Sequence, residues 1–237
     1  MRAFIILDFD GVLFNSAFEA FSVANKTTEG RAGFRQDISY DEFMDFRGAV
    51  TDAWQYNRLY SLEHSVPTDT LHQIEPVEAD WAFARDFFDV RKVMMEDPEW
   101  PKVMAPYDFF FLLRPLLLKH SDRFAILSTR NVKSIRDTLA FHGVDILPVF
   151  GQEDIRRLGS KFGVAQEQNW LDQTQSIVVY VDDMSVHLDP FHGRLHLPLH
   201  ANWGYDTTSE RGFSALQIYT VINSLLSVDS QKKHDEI

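Results

Sequence analysis

Cysteine is absent from the 237 residues. That absence excludes disulfide scaffolds, thiolate catalysis and cysteine-bound zinc. Basic residues are scarce: 23 Lys and Arg face 35 Asp and Glu, a formal charge of −12. Such a surface disfavours general affinity for nucleic acid and docking on anionic membranes. It leaves room for a small phosphorylated ligand, because a bound cation reverses the local field. Long apolar runs are missing as well. The longest stretch, near residues 109–118, is interrupted by Arg114 and Pro115 and is too short to span a bilayer. The N-terminus carries one Arg and then turns apolar, without the residue order of a secretory leader. The expectation is a soluble, cytoplasmic protein.

What is present points to a packed globular chain, long enough for one domain with a sizeable insertion. Three apolar runs, "AFIIL" (3–7), "FAIL" (124–127) and "SIVVYV" (176–181), read as parallel strands covered on both faces. "ILPVFG" (146–151) and the segment around "RLHLPLH" add two more. A helix is predicted from Asn131 to Gly143. This alternation predicts an α/β fold with a doubly wound, mostly parallel sheet, Rossmann-like in plan. Residues 17–104 read differently. Ser39, with Glu42 three residues on, forms the pattern of a capping box. Apolar residues Phe43, Phe46, Val50, Trp54 and Leu59 recur at helical intervals, and "VEADWAFARDFFDVRKVMMED" keeps the same period. The expected layout is a core of residues 1–16 and 105–237, split after its first strand by a helical insertion of residues 17–104. The last residues, from "SVDSQKKHDEI", are expected to fray.

Polar residues cluster at the strand ends. "DFDG" follows the first strong strand, "STRN" the second and "DDMS" the third. In open α/β sheets, ligands sit where such ends converge. Asp8 and Asp10 point the same way if the strand continues. Like charges brought that close raise each other's pKa unless a cation joins them. Asp182 and Asp183 bring more carboxylate, and a hard cation with oxygen ligands, magnesium above all, resolves the conflict.

These motifs resemble those of the haloacid dehalogenase-like hydrolases, in particular their phosphatase branch. "DFDGVLFNS" is similar to the family's first motif and "LSTRN" to its second. Lys161 in "GSKFGV" stands where the third motif's lysine belongs, and "VVYVDDMS" is similar to the fourth. The insertion resembles the family's helical cap of the first type, and "ANWGY" resembles a segment of phosphoglycolate phosphatase-like members. The resemblance implies a phosphoaspartyl mechanism. Asp8 would be the nucleophile and Asp10 the general acid and base. Ser128 would hydrogen-bond the phosphoryl oxygens and Lys161 would neutralise their charge. Gly11, through its amide, together with Thr129 and Arg130, is placed around the substrate. Asp183 would hold Mg2+ with Asp8 and the carbonyl of Asp10, with Asp182 as supporting ligand. An acid at position 10 separates phosphate-ester cleavage from the family's carbon–halogen and phosphonate chemistry.

The chain also departs from the pattern. Phe162 follows Lys161 where a proline is usual, Arg156 and Arg157 lie near as rival cations, and His187 stands where many relatives carry a further Asp. His187, His192, His196 and His200 read as surface or loop residues. The aromatic series Phe43, Phe46, Trp54, Trp81, Phe83, Phe87 and Phe88 reads as the core of the insertion, with Arg47 available to a substrate. The function expected is a magnesium-dependent phosphatase for a small phosphorylated metabolite. The alternatives are a sugar-phosphate mutase of the same family, a polynucleotide-end phosphatase, or a silent binding module that keeps the fold. The oligomeric state is left open.

Overall fold

A computed structural model describes residues 2–171, 176–193, 195–205 and 212–235. The chain divides into two compact units: residues 1–15 with 105–237, and residues 16–104.

Among the described residues, the first unit is built on seven strands. They are β1 (Arg2–Leu7), β2 (Phe14–Asn15), β3 (Ala105–Pro106), β4 (Phe124–Leu127), β5 (Val149–Phe150), β6 (Ser176–Asp182) and β7 (His196–His200). Five of them form one sheet in the order β5-β4-β1-β6-β7, with every neighbouring pair parallel. This is the doubly wound sheet that the apolar runs predict. β1 lies at the centre, and successive strands are added first on one side of it and then on the other. The direction reverses at the β1–β6 boundary, which is where a crevice opens at the carboxyl ends. Central position explains composition: Ile5, Ile6 and Leu7 are fully buried, as are all four residues of β4. Pro198 sits in β7 at the sheet's edge, where a missing ladder donor is tolerated. β2 and β3 pair antiparallel as a small second sheet.

The predicted helix after β4 runs Val132–Phe141. Asn131 caps it by accepting the Ser134 amide at 2.8 Å, and Gly143 turns the chain at φ 70°. The broken apolar stretch at 109–118 proves helical, Asp108–Lys119, with Pro115 inside it and Phe109, Phe110, Leu113 and Leu117 buried. The tail expected to fray is helical as far as Asp235, and residues 236–237 lie outside the described ones. No helix among the described residues is long and apolar enough to cross a membrane.

The second unit is helical: Ala17–Thr28, Tyr40–Arg47, Tyr56–Tyr60 and Glu78–Met94. Its core is aromatic, with Phe43 stacked on Tyr56 at 5.1 Å and Tyr56 on Phe87 at 5.6 Å. Three expectations need correction. The apolar series from Phe43 to Leu59 is not one helix, because the first ends at Arg47 and a 3-10 turn at Ala53–Gln55 precedes the next. Ser39 does cap, accepting the Glu42 amide at 3.1 Å, but the Glu42 side chain serves Arg35 at 2.5 Å rather than closing a capping box. Trp81 and Phe88 are not core, being 41% and 44% exposed. Arg47 turns inward to donate to the Val50 carbonyl at 3.1 Å.

Candidate active site

The sheet register brings the polar strand ends together. Leu7 lies opposite Ile126 on one side and Val181 on the other, so the residue after each, in step, is Asp8, Leu127 and Asp182. The Asp8 amide donates to the Val181 carbonyl at 2.9 Å and carries the pairing one residue further. Between the two aspartates of the first motif, Phe9 is buried and stacked on Phe14 at 4.7 Å, which packs on Phe110 at 4.9 Å. That aromatic anchor fixes the loop carrying both acids.

Asp8 is buried, and its Oδ1 accepts the Phe9 amide at 2.7 Å and faces the Lys161 ammonium at 3.1 Å. Burial pushes its carboxyl up to about 6. Lys161 works against that rise, and the neighbouring Asp182 and Asp10 charges add to it. Lys161 opens the helix Lys161–Glu167, capped by Ser160, and its Nζ also reaches Asp182 Oδ2 at 2.7 Å. Burial disfavours this ammonium, yet the Asp182 and Asp8 carboxylates outweigh it and hold the group charged. The rival cations fall away. Arg157 is exposed and tied to Glu167 at 2.8 Å, and Arg156 is exposed. The Phe162 side chain, in place of the usual proline, meets Phe191 ring to ring at 5.3 Å.

Asp182 and Asp183 differ sharply although they are adjacent. Asp182 accepts from Lys161, from the Tyr180 hydroxyl, from the Met184 amide at 2.8 Å, and faces His187 Nδ1 at 3.2 Å. Burial opposes its charge, but Lys161 and then His187 hold the carboxyl below the usual range. Asp183 has one described hydrogen bond, from the Tyr205 amide to Oδ2 at 2.7 Å. Burial, then the Asp182 and Asp8 charges, push its carboxyl well above the ordinary value. Two glycines press against it. A Cβ on Gly11 would fall 2.1 Å from Asp183 Oδ2, and one on Gly204 would fall 2.2 Å from the Asp183 Cβ. Gly11 also needs its φ of 78°. Its amide is committed to the Phe14 carbonyl at 2.9 Å, so the expected phosphate-donor role of that N–H is not seen here; the tight turn takes it.

Asp10 stands at the rim, its side chain 19% exposed, gripped by Arg130. Nε of Arg130 lies 2.9 and 3.0 Å from the two carboxylate oxygens, and Nη2 lies 2.8 Å from Oδ1. Ser128 is fully buried and accepts the Arg130 amide at 3.3 Å. Thr129 between them is exposed. Sequence reasoning passed over Tyr180, although its place two residues before Asp182 puts both on one face of β6. It also misjudged two of the histidines. His187 faces Asp182 and His200 is buried on β7; only His192 is plainly exposed.

The donor set fits a hard divalent cation. Among the described residues, Asp8, Asp10, Asp182 and Asp183 bring four carboxylates against two close cations, Lys161 and Arg130. Burial first, and the neighbouring carboxylate charges after it, raise the carboxyls of Asp8 and Asp183. Oxygen donors of this kind suit magnesium better than softer metals. Asp8, Asp182 and His187 also offer ligand atoms within 4.8 Å of one another. Lys161 already bridges the two carboxylates of that trio, however, while Asp183 keeps acceptor capacity to spare.

No family model and no curated protein matches the chain. Solved structures do. A protein provisionally described as a phosphoglycolate phosphatase from Lactobacillus delbrueckii subsp. bulgaricus aligns over 94% of this chain and 99% of its own, with TM-score 0.68 and 15% identity. A haloacid dehalogenase-like hydrolase from Streptococcus pneumoniae aligns over 93% and 98%, with TM-score 0.58 and 13% identity. CbbY from Rhodobacter sphaeroides, solved with xylulose-(1,5)bisphosphate, aligns over 90% and 92%, with TM-score 0.56 and 13% identity. At these identities the likeness is one of fold: the chain has the fold of the haloacid dehalogenase-like hydrolases.

Proposed function

We propose that this protein is a magnesium-dependent phosphatase that hydrolyses a small phosphorylated metabolite through a phosphoaspartyl intermediate on Asp8. The observation that carries the reading is the meeting of Asp8 with Lys161, Asp182 and Asp183 at the crevice end of a doubly wound sheet. The fold adds support, since its solved neighbours include one described as a phosphoglycolate phosphatase and one holding a sugar bisphosphate.

In this reading a carboxylate oxygen of Asp8 attacks phosphorus, and the ester oxygen leaves with the bonding pair. Asp10 supplies the proton that makes that oxygen an alcohol, and in the second half-reaction takes a proton from the attacking water. Lys161 holds the nucleophile and offsets phosphoryl charge, while Asp182 holds Lys161 in turn. Ser128 supplies a hydroxyl beside the phosphoryl oxygens. Asp8 and Asp183, with the Asp10 carbonyl, are assigned as the residues that hold Mg2+. Asp182 is assigned to support them, because its oxygens are already taken up by Lys161, Tyr180, Met184 and His187. When bound, the ion supplies charge neutralisation on phosphoryl oxygens and nucleophile. The helical unit of residues 16–104 is proposed as the cap of this fold, and the net acidity argues against nucleic acid as substrate.

The test is phosphate release by the full chain with magnesium over sugar phosphates, nucleotides, phosphoglycolate and 4-nitrophenyl phosphate. Release from at least one ester, dependent on the metal, is expected. A folded, magnesium-supplied sample that releases phosphate from none of them defeats the reading. Isomer formation without net release would give the mutase alternative instead.

A further inference from the structure

Arg130 comes two residues after Ser128, in a loop where a substrate-binding arginine is the natural expectation. Its geometry says otherwise. The guanidinium is buried, with its side chain 6% exposed, and Nε and Nη2 close on the carboxylate of Asp10. Nη1 donates to Ser134 Oγ at 3.2 Å, in the first turn of the Val132–Phe141 helix. The backbone is held as well: the Arg130 amide donates to Ser128 Oγ at 3.3 Å, and its carbonyl accepts the Gln152 amide at 2.8 Å. The charged head lies 5.8 Å from the centroid of Phe9, the ring anchored between the two aspartates. A guanidinium fixed from this many directions is a clamp rather than a probe reaching for ligand. What it clamps is the acid at the rim. A carboxylate with both oxygens turned to a planar fork has one defined orientation and presents acceptor lone pairs.

We propose that Arg130 is a positioning residue that orients Asp10 for the hydrolytic half-reaction. The proposal rests on the phosphatase reading above and goes beyond it in separating the two half-reactions. In hydrolysis of the phosphoenzyme, water oxygen forms the new bond to phosphorus and the bond from phosphorus to the Asp8 oxygen breaks. Asp8 leaves with that electron pair, and the water proton goes to Asp10. The acceptor must therefore sit in line with the incoming water, and misplacement by about 1 Å can cost on the order of a hundredfold. In the first half-reaction, an aryl ester whose leaving group is already a stable anion needs little protonation.

4-Nitrophenyl phosphate separates these steps. With Arg130→Gln, kcat is expected to fall roughly ten- to a hundredfold and KM to fall with it, leaving kcat/KM within about threefold of wild type. Rapid mixing should show a one-equivalent burst of 4-nitrophenol before slow turnover. Arg130→Lys, which keeps the charge but gives up the fork, is expected to recover part of kcat and carries the test if the Gln variant does not fold. A raised KM at preserved kcat would make Arg130 a substrate-binding residue and overturn the proposal. So would an unchanged kcat, or an equal loss in kcat and kcat/KM without a burst. If wild type turns over neither this ester nor any other, the phosphatase reading itself fails and the proposal goes with it, an outcome distinct from turnover with the wrong kinetic split.

Discussion

Each of the two units buries charge, and they do so on opposite terms. In the helical unit, Asp80 is fully buried but surrounded: Arg58 pairs with it, Asn57 Nδ2 donates to it at 2.7 Å, and the Val77 amide donates at 2.8 Å. Arg91, part-buried, pairs at 2.9 Å with the buried Glu19, which ties helix Ala17–Thr28 to helix Glu78–Met94. Each carboxylate there has its own guanidinium. At the strand ends of the α/β unit, four carboxylates share Lys161 and Arg130, and two of them are pushed to higher pKa by their surroundings. Burial alone therefore does not mark a functional site, since a balanced buried pair is a structural element. The informative sign is a surplus of one charge, kept at the strand ends where the proposed reading seats an ion and a phosphoryl group.

The sharpest way to break that contrast is to remove one charge from each side. Asp8→Asn is expected to lower phosphate release by about 10⁴-fold or more, since the proposed nucleophile is lost. Without magnesium its thermal midpoint should be no lower than wild type, because it neutralises a carboxylate that burial first, and its acidic neighbours second, disfavour in charged form. Retained turnover would remove Asp8 from its assigned role. Arg58→Met makes the opposite demand. It strands Asp80 in the core of the helical unit and is expected to cost about 3–5 kcal/mol in denaturant unfolding. Adding Asp80→Leu should recover most of that loss, whereas no second substitution should restore turnover to Asp8→Asn.

How far the sequence reveals this contrast depends on the range of the interactions. The strands were legible because β1, β4 and β6 are nearly unbroken apolar runs, and their polar ends follow from where those runs stop. Asp8 and the Asp182–Asp183 pair were legible for the same reason. Partnerships were not. Arg130 and Asp10 are 120 positions apart, and the grip between them follows from the parallel pairing of β1 and β4 and from a buried side-chain path that no local pattern encodes. The division of labour between Asp182 and Asp183 was hidden too. It arises because Lys161, Tyr180 and His187 converge on the first while the Tyr205 amide meets the second. Gly11 was legible as a turn but not as a neighbour of Asp183, which is what excludes a Cβ there. In the helical unit, periodicity found the aromatic core yet overran the break after Arg47, because apolar spacing continues through a bend that keeps the same face inward.

Magnesium offers a milder way to sharpen the comparison. If the surplus of carboxylate exists to hold an ion, the metal should raise the thermal midpoint, by the equivalent of about 2.7 kcal/mol at a hundred times its dissociation constant. Asp183→Asn should lose most of that response while staying folded, because it removes a carboxylate with spare acceptor capacity. Asp80→Asn, at the balanced site, should keep the response in full. An equal metal response in wild type and Asp183→Asn would return the assignment to Asp8, Asp182 and His187.

The smallest expected effect concerns a buried polar group that is neither paired nor part of the acid cluster. His142 is half-buried at the end of the Val132–Phe141 helix, with its ring against Phe14, Phe110 and Phe141, and its Nε2 has no hydrogen-bond partner among the described residues. Burial first, and the Arg114 charge second, lower its pKa from the ordinary 6.5. The native state therefore resists a proton that the unfolded chain accepts. Stability from this residue is complete above the ordinary histidine value and is lost as pH falls through it, levelling off below the depressed native value. His142→Phe keeps an aromatic ring in the same surroundings and removes the titration. Its advantage over wild type in urea unfolding should be larger at pH 5 than at pH 8. Taking the difference between the two proteins cancels the opposite-signed contribution of Asp8, whose carboxyl is raised, and the parallel one of His120, which burial also lowers. An advantage independent of pH would mean that the ring carries its proton as easily in the folded protein as in the unfolded chain.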